Sequence, residues 1–367
     1  MSTTTPFKST CHCRSISLTI SIPNSSLPLK THFCHCNICR RIHGTLAAIH
    51  TKIPEPVPEP SFDDEKWGKY ETAKVTRFFC GTCGAQICDR AVTGESVEWY
   101  ADASLLEWCG EDEGECEARG RASGLSDWPF EFTKHIYVGS TKDGGLASWL
   151  KRIDGRELEV WKEDAGSELL DLDRLTHTSL APSEARKIDL EASCHCGGVR
   201  FFIWPPQSED VFDSTDATIT PKDKTRWYAL LDVCNTCRLT SSSAVIPWMF
   251  PVASHLSLPD GSAWPEDHVV GTAKRYRSSE KVVRTFCGRC GATVAYVDET
   301  RSGGTVDVAL GLVDMVGEGE ERRAGVRLEE WLEWRSGRVA FVGDAWWKGL
   351  VGGLVEGMKE RTGGDVP

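Results

Sequence analysis

Of the sixteen cysteines in this sequence, all but Cys88, Cys109 and Cys116 fall into short groups whose spacing suits metal ions. Cys-x-Cys occurs at Cys11 and Cys13 and again at Cys194 and Cys196; Cys-x-x-Cys-Gly occurs at Cys80 and Cys83 and again at Cys287 and Cys290. Each pair of motifs supplies four thiols, the number that closes a tetrahedral structural zinc site. On or beside a strand, residues i and i+2 face the same way, so Cys-x-Cys can aim two sulfurs at one point. Gly84 or Gly291 can take the positive φ that the following tight turn requires. The stretch CHCNIC (34–39) differs, because Cys34, Cys36 and Cys39 have no fourth cysteine beside them. Catalytic zinc sites use three protein ligands and keep a fourth position for water or substrate. A tris-thiolate centre is soft, favours an incoming thiol and holds it as the nucleophilic thiolate. Alternatively His35 completes the set, or a fourth ligand comes from His32, His43 or Cys88 and the site is structural. Later in the chain DVCNTC places Asp232 where Cys34 stands and keeps Cys234 and Cys237. That is either a mixed Asp–Cys–Cys centre with retuned affinity or a vestigial pocket. Dithiol redox chemistry is the competing reading of the Cys-x-x-Cys pairs, but no thioredoxin-like βαβ pattern surrounds them.

The elements that must position these groups occur twice. CHCRSISL (11–18) matches CHCGGVRF (194–201), CHCNICR (34–40) matches DVCNTCR (232–238), and RFFCGTCGAQI (77–87) matches RTFCGRCGATV (284–294), always in the same order. The copies differ by insertions between motifs, where loops tolerate length changes. The polar stretch 162–193, punctuated by Pro182, separates them, so the expected organisation is a domain over 1–165, a linker over 166–188 and a domain over 189–367. Ile16, Leu18, Ile20 and Ile22 alternate with polar residues, as do Val199, Phe201 and Ile203, the period-2 pattern of half-buried strands. Residues 96–106 and 305–313 read as later strands. IPEPVPEP (53–60) reads as an extended, solvated loop, and RLEEWLEWR (327–335) as the one helical segment. The fold class is mainly β. Cys88 reads as a small buried residue. Cys109 and Cys116, in an acidic insertion over 109–129, read as exposed thiols, and the carboxylate runs 111–115 and 318–321 as solvated faces. Trp149, Trp346 and Trp347 are expected in domain cores.

Composition narrows the partners. A net charge of −12 argues against a nucleic-acid grip, which needs basic stripes. No apolar run approaches the ~20 residues of a membrane-spanning helix. The start, MSTTTPFKSTCHC, lacks the basic and apolar regions of a secretory leader, which sets the expectation of a cytoplasmic protein with reduced thiols. The expected partners are small molecules, with neither nucleic acid nor membrane.

Cys-x-Cys, then Cys-x-Cys-x-x-Cys-Arg, then Phe-Cys-x-x-Cys-Gly resembles the glutathione-dependent formaldehyde-activating enzyme family, which includes centromere protein V. HIYVGSTKDGGLASWL (135–150) is similar to that family's closing segment. The resemblance implies two tandem zinc-binding β-tent-like domains. It implies structural zinc at Cys11, Cys13, Cys80 and Cys83 and at Cys194, Cys196, Cys287 and Cys290. It further implies catalytic zinc at Cys34, Cys36 and Cys39, with three or four Zn2+ per chain depending on Asp232, Cys234 and Cys237. The implied reaction is a carbon–sulfur lyase chemistry run in the synthetic direction, joining a glutathione-like thiol to formaldehyde or a similar carbonyl. Departures are Arg14 and Ser15 in place of the paired glycines Gly197 and Gly198, the altered Asp232, and RVAFVGDAWW (338–347) where copy two should carry the closing segment. No basic tail is present, so a microtubule or chromatin role does not carry over. Arg40 and Arg238 recur after the ligand loops and either meet a substrate carboxylate or are structural. A non-catalytic zinc protein and a zinc or redox sensor are the alternatives in function.

Overall fold

The computed structural model describes residues 3–108, 129–175, 189–316, 325–335 and 338–362. The insertion with Cys109 and Cys116, the run 318–321 and the C-terminal part of the linker lie outside the described residues. The chain is mainly β, and each copy holds a small and a large sheet. In copy one the small sheet runs Leu106–Trp108, Thr4–Thr10, Ser17–Pro23, Val57–Glu59. The large one runs Glu159–Val160, Phe130–Ile136, Leu29–Cys34, Ala48–Ile53, Ser96–Asp102, Gln86–Thr93, Val75–Cys80, Trp67–Glu71. Copy two repeats this with Leu256–Ser257, Arg200–Ile203, Leu190–Ser193 and Val313–Met315 in one sheet. Its large sheet runs Ala273–Ser279, Val282–Cys287, Thr293–Asp298, Asp307–Ala309, Ile246–Met249, Trp227–Asp232, Leu332–Trp334.

The alternating stripe does what its period demands: Ile16, Leu18, Ile20 and Ile22 are all buried, as are Val199, Phe201 and Ile203. Several details differ from the sequence reading. Cys-x-Cys sits beside its strands, in the hairpin turn between Thr4–Thr10 and Ser17–Pro23, so it is the turn and not the strand period that aims the sulfurs. A turn brings the sulfurs together because Arg14 takes φ 60°, the conformation that Gly197 takes at 69° in copy two. Residues 57–59 of the proline-rich stretch form an edge strand against Ser17–Thr19. Residues 327–335 are not helical: Leu328, Trp331 and Leu332 are buried at i, i+3, i+4, but Leu332–Trp334 pairs in parallel with Trp227–Ala229. The closing segment of copy two is present after all. The Val233 amide donates to Ala340 O at 3.2 Å as the His35 amide donates to Ile136 O at 3.0 Å. Phe341 and Tyr137 both enter a 3-10 turn in the left-handed conformation, at φ 60° and 58°. AFVG therefore stands where IYVG stands, and its changed side chains hid it.

Helix α1 (Asn37–His43) and helix α2 (Asn235–Ser241) follow the two ligand loops directly. Helix α3 (Lys348–Thr362) closes the chain and packs on Arg152–Ile153 of copy one, while Trp346 and Trp347 pack against Phe130 and Phe132. Trp149 is buried as expected.

The copies face each other through reciprocal contacts, the pattern of an isologous dimer written into one chain. His12 Nδ1 lies 2.6 Å from Tyr276 Oη, and His195 Nδ1 lies 2.6 Å from Tyr70 Oη. Arg40 donates to Gly311 O at 2.8 Å and pairs with Asp314 at 2.7 Å, while Arg238 donates to Ser104 O. Both arginines are buried, which settles them as structural. One hydrophobic cluster runs through both copies.

Candidate metal centres

Helix α1 begins inside the CHCNIC stretch. Cys36 is its N-cap, extended at φ −61°, ψ 152°, and its sulfur accepts from the Cys39 amide at 3.4 Å. Capping thus brings the sulfurs two and five residues after Cys34 back toward the end of the strand Leu29–Cys34. Cys234 caps α2 in the same way, with its sulfur 3.3 Å from the Cys237 amide.

The ligand atoms gather in four groups, within 4.8 Å of one another in each: Cys11, Cys13, Cys80, Cys83; Cys194, Cys196, Cys287, Cys290; Cys34, Cys36, Cys39; and Asp232, Cys234, Cys237. Sulfurs around a tetrahedral zinc at 2.3 Å stand about 3.8 Å apart. The Cys11–Cys13, Cys13–Cys80, Cys194–Cys196 and Cys196–Cys287 separations are 3.4, 3.6, 3.5 and 3.5 Å. The groups thus have the dimensions of zinc sites. Hydrogen bonds from Cys34 and Cys39 hold the Cys36 thiol down to about 2. The bond to Cys36, together with burial, keeps the Cys34 thiol well above its ordinary value. Without a cation such a group keeps one thiolate beside thiols; a soft divalent cation lets all three ionise.

Above Cys34, Cys36 and Cys39 opens a cleft of about 1110 Å³, whose walls include Lys30, His32, Lys52, Arg77, Tyr137 and Arg156. Arg77 is buried, and its Nε lies 3.7 Å from Asp89. Of the alternative fourth ligands, His32, His35, His43 and Cys88 join none of the four groups. His35 points the other way: its Nε2 lies 2.9 Å from His135 Nδ1, and His135 Nε2 lies 2.8 Å from Leu150 O. A carbonyl only accepts, so His135 Nε2 carries the proton, and the His35 Nε2–H must donate to His135 Nδ1. Burial pushes His135 down to about 4 and His35 well below its ordinary value, so both rings are neutral. His43 turns toward the carbonyls of Ser241 and Ser242 at 3.2 and 3.1 Å. Cys88 is buried, as read.

Two neighbours of the centre, and one residue bonded to His35 behind it, were missed in the sequence. His50 Nε2 stands 3.5 Å from Cys39 Sγ, and pairing of Leu29–Cys34 with Ala48–Ile53 sets His50 opposite His32. The signal for Arg77 was available, since RFFC and RTFC both place an arginine three residues before a ligand. His135 is reached only through a parallel strand pairing about a hundred residues away in sequence.

Copy two keeps the backbone and changes the chemistry. Asp232 Oδ1 accepts from the Cys234 amide at 2.7 Å. His35 and His135 are replaced by Val233 and Val339, and the facing pair His32–His50 by Leu230–Trp248. Arg284 occupies the place of Arg77, with Nη2 3.4 Å from Cys237 Sγ.

No helix among the described residues is long and apolar enough to cross a membrane. A family model, glutathione-dependent formaldehyde-activating enzyme, matches the chain twice, over residues 6–106 and 217–332. No curated protein matches it.

Proposed function

Because the chain belongs to the glutathione-dependent formaldehyde-activating enzyme family, we propose that its Cys34–Cys36–Cys39 centre activates a glutathione-like thiol for addition to formaldehyde or a similar small carbonyl. The observation that carries this reading is a contrast. The two four-sulfur groups each gather enough ligands to close a tetrahedral site, whereas the three-sulfur group faces the 1110 Å³ cleft and would leave a bound zinc one position short. Zinc bound there supplies Lewis-acid activation of the incoming thiol and a template for the addition. The remaining work falls to the protein's own residues. Arg77 stands beside the centre and offsets its negative charge. Lys30 and Lys134 along the cleft, with Lys52 and Arg156 beside them paired to Glu98 and Glu131, suit the carboxylates of a tripeptide thiol. A carbon–sulfur bond forms, the thiol proton passes to the carbonyl oxygen, and the product is an S-hydroxymethyl adduct.

The wider reading is a cytoplasmic protein of two domains, 1–165 and 189–367, joined by 166–188, with three zinc ions and a fourth if Asp232, Cys234 and Cys237 hold one. The two matched segments support the two-domain part of it. The test is exchange NMR of formaldehyde with glutathione, run with elemental analysis on wild type and on Cys34→Ser/Cys36→Ser/Cys39→Ser. Accelerated exchange in wild type, lost in the variant together with one zinc and with unfolding nearly unchanged, is the expected result. No acceleration by the zinc-loaded wild type would leave a non-catalytic zinc protein.

A further inference from the structure

The altered centre of copy two stands at the wall of its own pocket, about 650 Å³, lined in part by Leu230, Trp248, Phe250, Tyr296 and Phe341. We propose that this pocket binds a small carboxylate with an apolar body, independently of the thiol chemistry of copy one. The inference begins with Arg284. It is 6% exposed, lines the pocket, and its Nη1 has no hydrogen-bond partner among the described residues. A buried guanidinium with an unused N–H is costly unless an acceptor arrives, and a carboxylate is the acceptor whose geometry it matches.

The equivalent position in copy one shows why this cation is available. On the neighbouring strand Arg77 faces Asp89, whereas Arg284 faces Tyr296. The carboxylate that pairs with Arg77 has become an aromatic ring, and the Arg284 guanidinium lies 4.7 Å from the centre of that ring. The other exchanges run the same way: histidines at positions 32 and 50 become Leu230 and Trp248, turning a polar wall apolar. Arg301, paired with Asp307, and Arg335 and Arg338 bring the pocket to four guanidiniums against the carboxylates of Asp232 and Asp307. An apolar chamber of this size with a buried cation and a basic mouth selects a small anion carrying a hydrophobic body.

The probe is benzoate, with benzyl alcohol as its neutral counterpart, titrated calorimetrically into the full zinc-loaded chain. Benzoate should bind at least tenfold more tightly than benzyl alcohol, and equally well to Cys34→Ser/Cys36→Ser/Cys39→Ser. Reversing the mouth with Arg335→Glu/Arg338→Glu should weaken it several-fold. Tyr296→Asp restores the pairing of copy one, neutralises Arg284 in place and should reduce binding roughly tenfold or more. Equal binding of the two probes, indifference to both copy-two variants, or loss in the triple cysteine variant would each overturn the proposal. The last outcome would move the ligand to copy one and leaves the formaldehyde reading to its own assay.

Discussion

The buried His35–His135 pair offers a double-mutant cycle whose answer copy two has already written. His35→Val removes the donor to His135 Nδ1, leaving a buried ring nitrogen unsatisfied, for about 1–3 kcal/mol. His135→Val orphans both the His35 Nε2–H and the Leu150 carbonyl, for roughly twice that. In the double variant the shared bond is lost only once and no ring nitrogen is stranded, although Leu150 O still lacks its donor. The pair should therefore cost about 1–2 kcal/mol less than the sum of the singles. Val233 and Val339 hold the equivalent places in copy two at 2% and 6% exposure, so the backbone accommodates two valines there. Urea unfolding midpoints of the four proteins, with zinc counted in each, measure the coupling. Additivity within about 0.5 kcal/mol would refute the hydrogen-bond assignment. Loss of one zinc in His35→Val would make His35 a ligand and refute the geometry of the centre.

Two further perturbations test the contact between the copies. A Cβ added at Gly84 would stand 2.6 Å from the Phe286 ring, and the backbone there holds φ +84°, so Gly84→Ala should destabilise the protein by about 1–3 kcal/mol in urea unfolding. Gly291→Ala should cost at least as much, because its Cβ meets Phe79 at the same 2.6 Å and also displaces the Gln86 amide that donates to the Cys290 carbonyl; a clearly smaller loss would contradict the reciprocal interface. Arg40→Ala strips donors from the Gly311 carbonyl and from Asp314 and should cost about 1.5–3 kcal/mol by the same measurement, with glutathione binding unaffected. A glutathione affinity that fell while stability held would return Arg40 to the substrate.

What the sequence disclosed was local. Each sulfur pair is fixed by a turn or a helix cap three to five residues long, and the alternating stripes of Ile16 to Ile22 and Val199 to Ile203 set their strands by period alone. What it concealed was carried by pairing at a distance. His50 reaches the three-sulfur centre, and His135 reaches His35 behind it, through neighbouring strands, and nothing near Cys39 signals them. Leu328, Trp331 and Leu332 imitate a helix face because a turn followed by a short strand against Trp227–Ala229 buries the same residues. The closing segment of copy two escaped notice because IYVG and AFVG share a backbone conformation more than a set of side chains.

The reciprocal interface also explains how one copy can change while the other stays intact. Gly84 packs on Phe286 immediately before Cys287, Gly291 packs on Phe79 immediately before Cys80, and Gln86 donates to the Cys290 carbonyl at 2.9 Å. Each four-sulfur group therefore supports the other copy as well as its own, and either half losing it would expose the shared core. The three-ligand loops face clefts, and it is the helices after them that reach the other copy, through Arg40, Arg41 and His43 in copy one and Arg238 in copy two. Freedom to vary is thus confined to the walls of the clefts. There Cys34 becomes Asp232, Asp89 becomes Tyr296, and His32 and His50 become Leu230 and Trp248 without disturbing the partner. A fold held together by two four-cysteine groups and one shared core leaves the two cleft-facing loops free to take up different chemistry.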